Sequence, residues 1–205
     1  MRSNIDMRLG DCMDYMKDLD DNAFELAICD PPYGIDVTKM NMGSRLTVKP
    51  DKSKKWDSGV PCENYFKELF RCSKNQIIWG GNYFNLPPSR CFLIWDKGES
   101  MYGRDFAEAE LAWTSFDKVV RIFKYNPNQK YRIHATQKPV ALYRWLLTTY
   151  AQAGDKILDT HGGSGSICLA CWDLKFDLTW IEKDKDYYNA AVERFNAHTD
   201  QLQMF

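Results

Sequence analysis

The chain has 205 residues, enough for one domain with a sizeable core, and its 27 basic and 28 acidic side chains leave a net charge of −1. No apolar run approaches membrane-spanning length. The odd count of seven cysteines, with no leader segment visible, argues against a secreted disulfide scaffold and for reduced thiols in a cytoplasmic protein. Cys168 and Cys171 form a C-x-x-C with no second pair or nearby histidine, so they read as packing residues and no metal site is expected.

In chain order, Ile5 to Leu9 reads as a strand ending at Gly10-Asp11, and Cys12 to Leu19 has helical spacing. Residues 24–29 form a short apolar strand that Pro31 and Pro32 stop abruptly, since neither has an N–H for a ladder. A polar loop over 36–58 precedes a helix from Glu63 to Cys72 with Tyr65, Phe66, Leu69 and Phe70 on one face. Strands follow at Gln76–Trp79 and Cys91–Trp95, with two further, antiparallel strands at Ala107–Trp113 and Lys118–Phe123. A helix from Pro139 to Ala151 is expected, capped by Thr136 or Gln137. Strand 156–158, a glycine-rich turn, helix 166–174, strand 176–181 and helix 185–197 complete the chain. This alternation predicts an α/β sheet with helices on its faces.

Two places carry chemistry. Asp30-Pro31-Pro32-Tyr33, followed by Gly34, holds an acid at a strand's carboxyl end, where open α/β sheets place their ligands. In the second place, a strand leads into Asp159-Thr160-His161-Gly162-Gly163-Ser164-Gly165-Ser166, a helix, and a strand ending in Glu182, 23 residues after Asp159. That is the layout of a nucleoside-binding unit, its final acid placed for ribose hydroxyls. The spacing Gly163-x-Gly165 fits a dinucleotide pyrophosphate poorly. Asp159, Glu182 and Asp184 instead suit S-adenosylmethionine, which carries a sulfonium and no phosphate. The three histidines (134, 161 and 198) read as structural.

Together and in this order, the motifs resemble the β-group DNA amino-methyltransferases. The resemblance runs through Leu9-Gly10-Asp11-Cys12, Asp30-Pro31-Pro32-Tyr33-Gly34, Ile78-Trp79-Gly80-Gly81-Asn82-Tyr83, Trp95-Asp96-Lys97-Gly98, Glu110-Leu111-Ala112-Trp113 and, most specifically, His134-Ala135-Thr136-Gln137-Lys138-Pro139. Glu182 and Tyr188 match the pattern after the second cofactor strand. It implies a Rossmann-like S-adenosylmethionine-dependent methyltransferase fold in circularly permuted motif order: a mostly parallel sheet with helices on both faces and an antiparallel part. It further implies that Asp30 and the Pro31 carbonyl accept hydrogen bonds from a target amine on a turn fixed by Pro32, and that Tyr33 stacks on an extruded base. Asp30, Asp159, Gly163, Gly165, Ser166 and Glu182 would hold the cofactor, with Thr136 and Lys138 near its methionine end and Asp11 near its adenine. Ala135 stands where the family usually has proline, and Thr160-His161 where it commonly has Pro-Phe, so His161 is expected to offer the flat surface instead.

The implied reaction is methyl transfer to the N6 amine of adenine in duplex DNA, since the family tends to carry Asp first for adenine and Ser first for cytosine. Cytosine N4, RNA or a catalytically silent DNA-binding relative are the alternatives. One domain is expected over 1–205, with loop 35–58 and segment 114–133 as the DNA-contacting insertions. Seven Lys or Arg and no acid lie between Lys118 and Arg144, and the candidate phosphate ligands are Lys39, Arg45, Lys52, Lys54, Lys55, Lys124, Lys130 and Arg132. The short recognition region points to a short target or to help from a second subunit, as in a homodimer.

Overall fold

The computed structural model of the protein describes residues 3–36, 54, 56–103, 107–127, 132–134 and 136–203. Its strands are β1 (Ile5–Leu9), β2 (Phe24–Cys29), β3 (Ser73–Trp79), β4 (Phe92–Asp96), β5 (Ala109–Thr114), β6 (Arg121–Lys124), β7 (Lys156–Asp159) and β8 (Asp177–Glu182). Its helices are α1 (Cys12–Met16), α2 (Glu63–Cys72), α3 (Val140–Tyr150), α4 (Ser166–Leu174) and α5 (Lys185–Gln203).

The strands form one sheet in the order β1-β8-β7-β2-β3-β5-β4-β6. The first five run parallel, and β5 is antiparallel to both of its neighbours, β3 and β4. Alternate residues of β2 feed two cores. Leu26 and Ile28 pack with Leu142 and Leu146 of α3 and Ile167 of α4, whereas Ala27 and Cys29 pack with Met16 of α1 and Tyr65 and Leu69 of α2. A strand covered on both faces has no polar side, which is why 24–29 reads as a nearly unbroken apolar run.

Three sequence expectations change. The strand expected at Lys118–Phe123 is Arg121–Lys124, and it pairs with β4 in parallel. Residues 115–120 carry the chain past β4, so a strand returning opposite to β5 lies alongside β4 in the same direction. Neither Thr136 nor Gln137 caps α3. Its N-cap is Pro139, with no side-chain cap bond; Gln137 Oε1 accepts from the Ile133 N–H at 3.0 Å, and Thr136 turns to His134. Helix α1 ends at Met16, short of Leu19, and the chain reaches β2 through Asn22 at φ 57°. Cys168 and Cys171 are buried in α4, as packing residues should be. Among the described residues no helix is long and apolar enough to cross a membrane, and no group of His, Cys, Asp or Glu is arranged to hold a metal ion.

Candidate active site

The sheet order brings four acids to the carboxyl ends of four neighbouring strands. Asp11 follows β1, Glu182 ends β8, Asp159 ends β7 and Asp30 follows β2. Helix α4, after β7, covers one face, and α2, after β2, covers the other. A crevice opens where successive connections leave a sheet to opposite faces. Asp159 and Asp30 flank that point.

At Asp30 the turn is fixed from outside. The N–H groups of Tyr33 and Gly34 donate to Asp57 Oδ1 at 2.7 and 3.0 Å, and Pro31 is buried. The Tyr33 hydroxyl donates to Asp30 Oδ1 at 2.6 Å, and the Lys138 ammonium to Asp30 Oδ2 at 2.5 Å. The Tyr33 ring stacks on Tyr83 at 5.0 Å with an interplanar angle of 10°. It lies directly over Gly80, where an added Cβ would fall 2.2 Å from its Cε1. Gly80 has φ +72°, so both backbone and contact demand glycine there.

Lys138 is the centre of a charge chain. Its ammonium reaches Glu110 of β5 at 2.9 Å as well as Asp30, and Glu110 also binds Lys97, just past β4, at 2.8 Å. Only 3% of the Lys138 side chain is exposed, so its charge depends on these partners. Burial opposes ionisation of Glu110, but Lys138 and Lys97 outweigh it and hold the carboxyl at about 2. Burial raises Asp30 above the usual carboxylate value, with Lys138 pulling against it and Glu110 adding to it. Glu110 and Lys97 lie in stretches that match the resemblance, yet the sequence gives them no role. The available signal is a carboxylate inside the apolar strand Ala-Glu-Leu-Ala-Trp.

On the other side of the crevice, Asp159 is 2% exposed and burial lifts its carboxyl to about 8, the His161 N–H at 3.0 Å opposing the rise. Glu182 Oε2 accepts from the Gly163 N–H and Oε1 from the Asp184 N–H, both at 2.7 Å, which ties the glycine turn to the end of β8. Gly165 has φ +67° and its missing Cβ would stand 3.1 Å from that of Ala191, so α5 approaches closely. Ser166 lies 3.2 Å from Ser164 and accepts from Arg194 at 3.0 Å; Arg194 also donates to the Ser164 carbonyl at 2.7 Å. Arg194 is a second contributor that sequence reasoning passed over.

The neighbouring expectations fall as follows. Burial pushes the His161 ring down to about 4, leaving it neutral and edge-on to Tyr65 at 5.2 Å. Asp11 caps α1 through the Met13 N–H at 2.9 Å and pairs with Lys183 at 2.8 Å, which holds its carboxyl below the usual range. Thr136 meets His134 Nδ1 at 3.0 Å, and the His134 ring lies beside Trp56 and Tyr187.

Among the candidate phosphate ligands, Lys54 is bound to both carboxylate oxygens of Asp184, at 2.6 and 2.7 Å, and to Asp186 at 2.9 Å. Lys124 pairs with Glu99 at 3.0 Å, and burial lowers the pKa of half-buried Arg132. Lys39, Arg45, Lys52, Lys55 and Lys130 lie outside the described residues.

Comparison with known proteins identifies the family. Residues 49–193, which include Lys138, the glycine turn and Glu182, match the N6/N4 family model described as DNA methylase. The chain is 34% identical over 70 residues to the type II methyltransferase M.HpaI of Haemophilus parainfluenzae, a stretch covering 34% of this chain and 22% of that protein. It is 22% identical to the type II methyltransferase M2.MboI of Moraxella bovis over 98% of this chain and 90% of that protein. In fold it is similar to the M1.HpyAVI–S-adenosylmethionine complex, with a TM-score of 0.58, 21% identity and coverage of 93% of this chain and 99% of that one. The chain belongs to the DNA methylase family, whose members are S-adenosylmethionine-dependent methyltransferases.

Proposed function

We propose that the protein is a site-specific methyltransferase acting on the N6 amine of adenine in duplex DNA, with Asp30 as the group that receives the amine. The observation that carries this reading is the Asp30 carboxylate, raised by burial and fixed on a proline turn at the mouth of the crevice. A buried carboxylate with a raised pKa is a better proton acceptor than a solvated one.

The residues fit S-adenosylmethionine. Asp159 is a buried acid whose carboxyl burial lifts to about 8, so a cationic ligand beside it would be welcome, and Glu182 stands on the adjacent strand beside the glycine turn. These two, with the backbone of Gly163 and Gly165, would hold the cofactor. When bound, it supplies an electrophilic methyl group. Asp30 and the Pro31 carbonyl accept the two hydrogens of the amine, which favours a pyramidal nitrogen with an available lone pair. Positioning then accounts for most of the acceleration. As the nitrogen gains carbon it must lose one proton, and Asp30 is placed to take it.

A base inside a duplex must be flipped out, at a cost of a few kcal/mol. Stacking on the Tyr33–Tyr83 pair would return about 1–3 kcal/mol. In this reading the basic segments 35–58 and 114–133 supply the side chains that neutralise phosphates. For about five such contacts, log affinity falls against log salt with a slope of about −4 to −5. A slope near zero contradicts the DNA assignment. Asp at the head of the Pro-Pro-Tyr motif favours adenine over cytosine N4, which the family also covers. The direct test is transfer of labelled methyl from S-adenosylmethionine to duplex DNA beside Asp30→Ala. Incorporation lost in the variant supports the reading; incorporation that survives it removes Asp30 from the chemistry.

A further inference from the structure

We infer that Glu110 and Lys97 are positioning residues for the reaction at Asp30: Glu110 is the second seat of the Lys138 ammonium, and the four groups form one charge-balanced chain that sets how strongly Asp30 accepts a proton. The inference rests on the reading of Asp30 as the amine acceptor.

The geometry alternates in sign without a gap. Asp30 meets Lys138 at 2.5 Å, Lys138 meets Glu110 at 2.9 Å and Glu110 meets Lys97 at 2.8 Å. None of these is a rim contact, since the exposed fractions of the side chains are 23, 3, 21 and 12% from Asp30 to Lys97. The register of β4 with β5 sets Trp95 opposite Glu110, which leaves Lys97 two residues on, near the same carboxylate. The other charged and titratable groups facing the chain are Tyr33, Tyr143 of α3, Arg132, His134 and Asp159.

Each end of the chain has a separate consequence. A buried ammonium with Asp30 as its one carboxylate partner would concentrate its charge there and weaken Asp30 as an acceptor. Glu110 shares that ammonium, so Asp30 keeps its basicity while remaining oriented. Glu110 in turn needs Lys97. With one cation between two partly buried carboxylates, one of them would take a proton, and the site would lose the acceptor or its support. Removing Glu110 alone leaves a net positive charge at a site that must accommodate a cationic methyl donor and receive a proton.

The test uses the full chain with Glu110→Gln, Glu110→Asp and the double variant Lys97→Met/Glu110→Gln. Asp30 is titrated by carboxyl carbon NMR and assigned by its loss in Asp30→Asn. In Glu110→Gln the midpoint of Asp30 moves down by about one pH unit, the acid limb of kcat moves with it, and kcat falls about 10–100-fold. Glu110→Asp restores both. The double variant leaves Asp30 and Lys138 as a neutral pair, so it carries the test where the single variant does not fold, and its Asp30 midpoint also lies below that of the wild type. An Asp30 midpoint unmoved in whichever of these variants folds overturns the inference. Absence of methyl transfer by the wild type would defeat the functional reading instead, and the titration would still report on the charge chain.

Discussion

The Tyr33 hydroxyl lies 2.6 Å from Asp30 Oδ1, so the acid proposed to receive the amine is already capped by the side chain three residues on. The same ring is stacked on Tyr83, which is 44% exposed. Entry of a base must therefore release the hydroxyl or use the outer tyrosine. Tyr33→Phe removes the cap and keeps the ring, and its kcat is expected to stay within about fivefold of the wild type. Tyr33→Ala removes the platform, worth about 1–3 kcal/mol, and is expected to lose about 10–100-fold in kcat/KM. Single-turnover methylation of both variants checks the split.

Gly80 supports that platform from below. In Gly80→Ala the backbone at φ +72° alone costs about 1–2 kcal/mol, and the new methyl displaces the Tyr33 ring from Asp30. Thermal unfolding should show the loss of stability. Activity should fall further than stability does, because the ring and the Asp30 bond move together.

Asp159 gives a pH signature. Its folded value of about 8 lies above the ordinary 3.8, so between these values the folded protein holds a proton that the unfolded chain releases. Stability contributed by this group is thus lost as pH rises through that window, by about 2 kcal/mol or more. The difference in stability between the wild type and Asp159→Asn should shift in favour of the variant from about pH 5 to about pH 8. Cofactor binding should show the complement. S-adenosylmethionine affinity rises from about pH 6 to about pH 8 with proton release, and Asp159→Asn abolishes that release in calorimetry run in two buffers.

Arg194 braces the glycine turn from α5 through the Ser164 carbonyl and Ser166 hydroxyl. Arg194→Met is expected to raise KM for S-adenosylmethionine about tenfold and to leave KM for DNA unchanged. A change in kcat alone contradicts this role.

What the sequence revealed and what it hid divide along contact distance. The acid after β2, the glycine turn and Glu182 are local patterns, each a strand end followed by residues that dictate its turn, and the structure places them on neighbouring strands. Glu110 and Lys97 meet because β5 pairs antiparallel with β4, and Lys138 joins them from the segment before α3, long-range contacts that no local period encodes. Lys54 shows the same limit: a count of basic residues marked it for phosphate, whereas the fold seats it on Asp184 and Asp186, 130 and 132 residues away. For β6 the apolar spacing located a strand, while its partner and direction followed from how residues 115–120 pass β4.

The most direct measurement is the identity of the modified nucleoside after the protein has methylated mixed-sequence duplex DNA with labelled S-adenosylmethionine. The account predicts label in N6-methyladenine, absent from the product of Asp30→Ala. Label in N4-methylcytosine, or equal label with the variant, would contradict it.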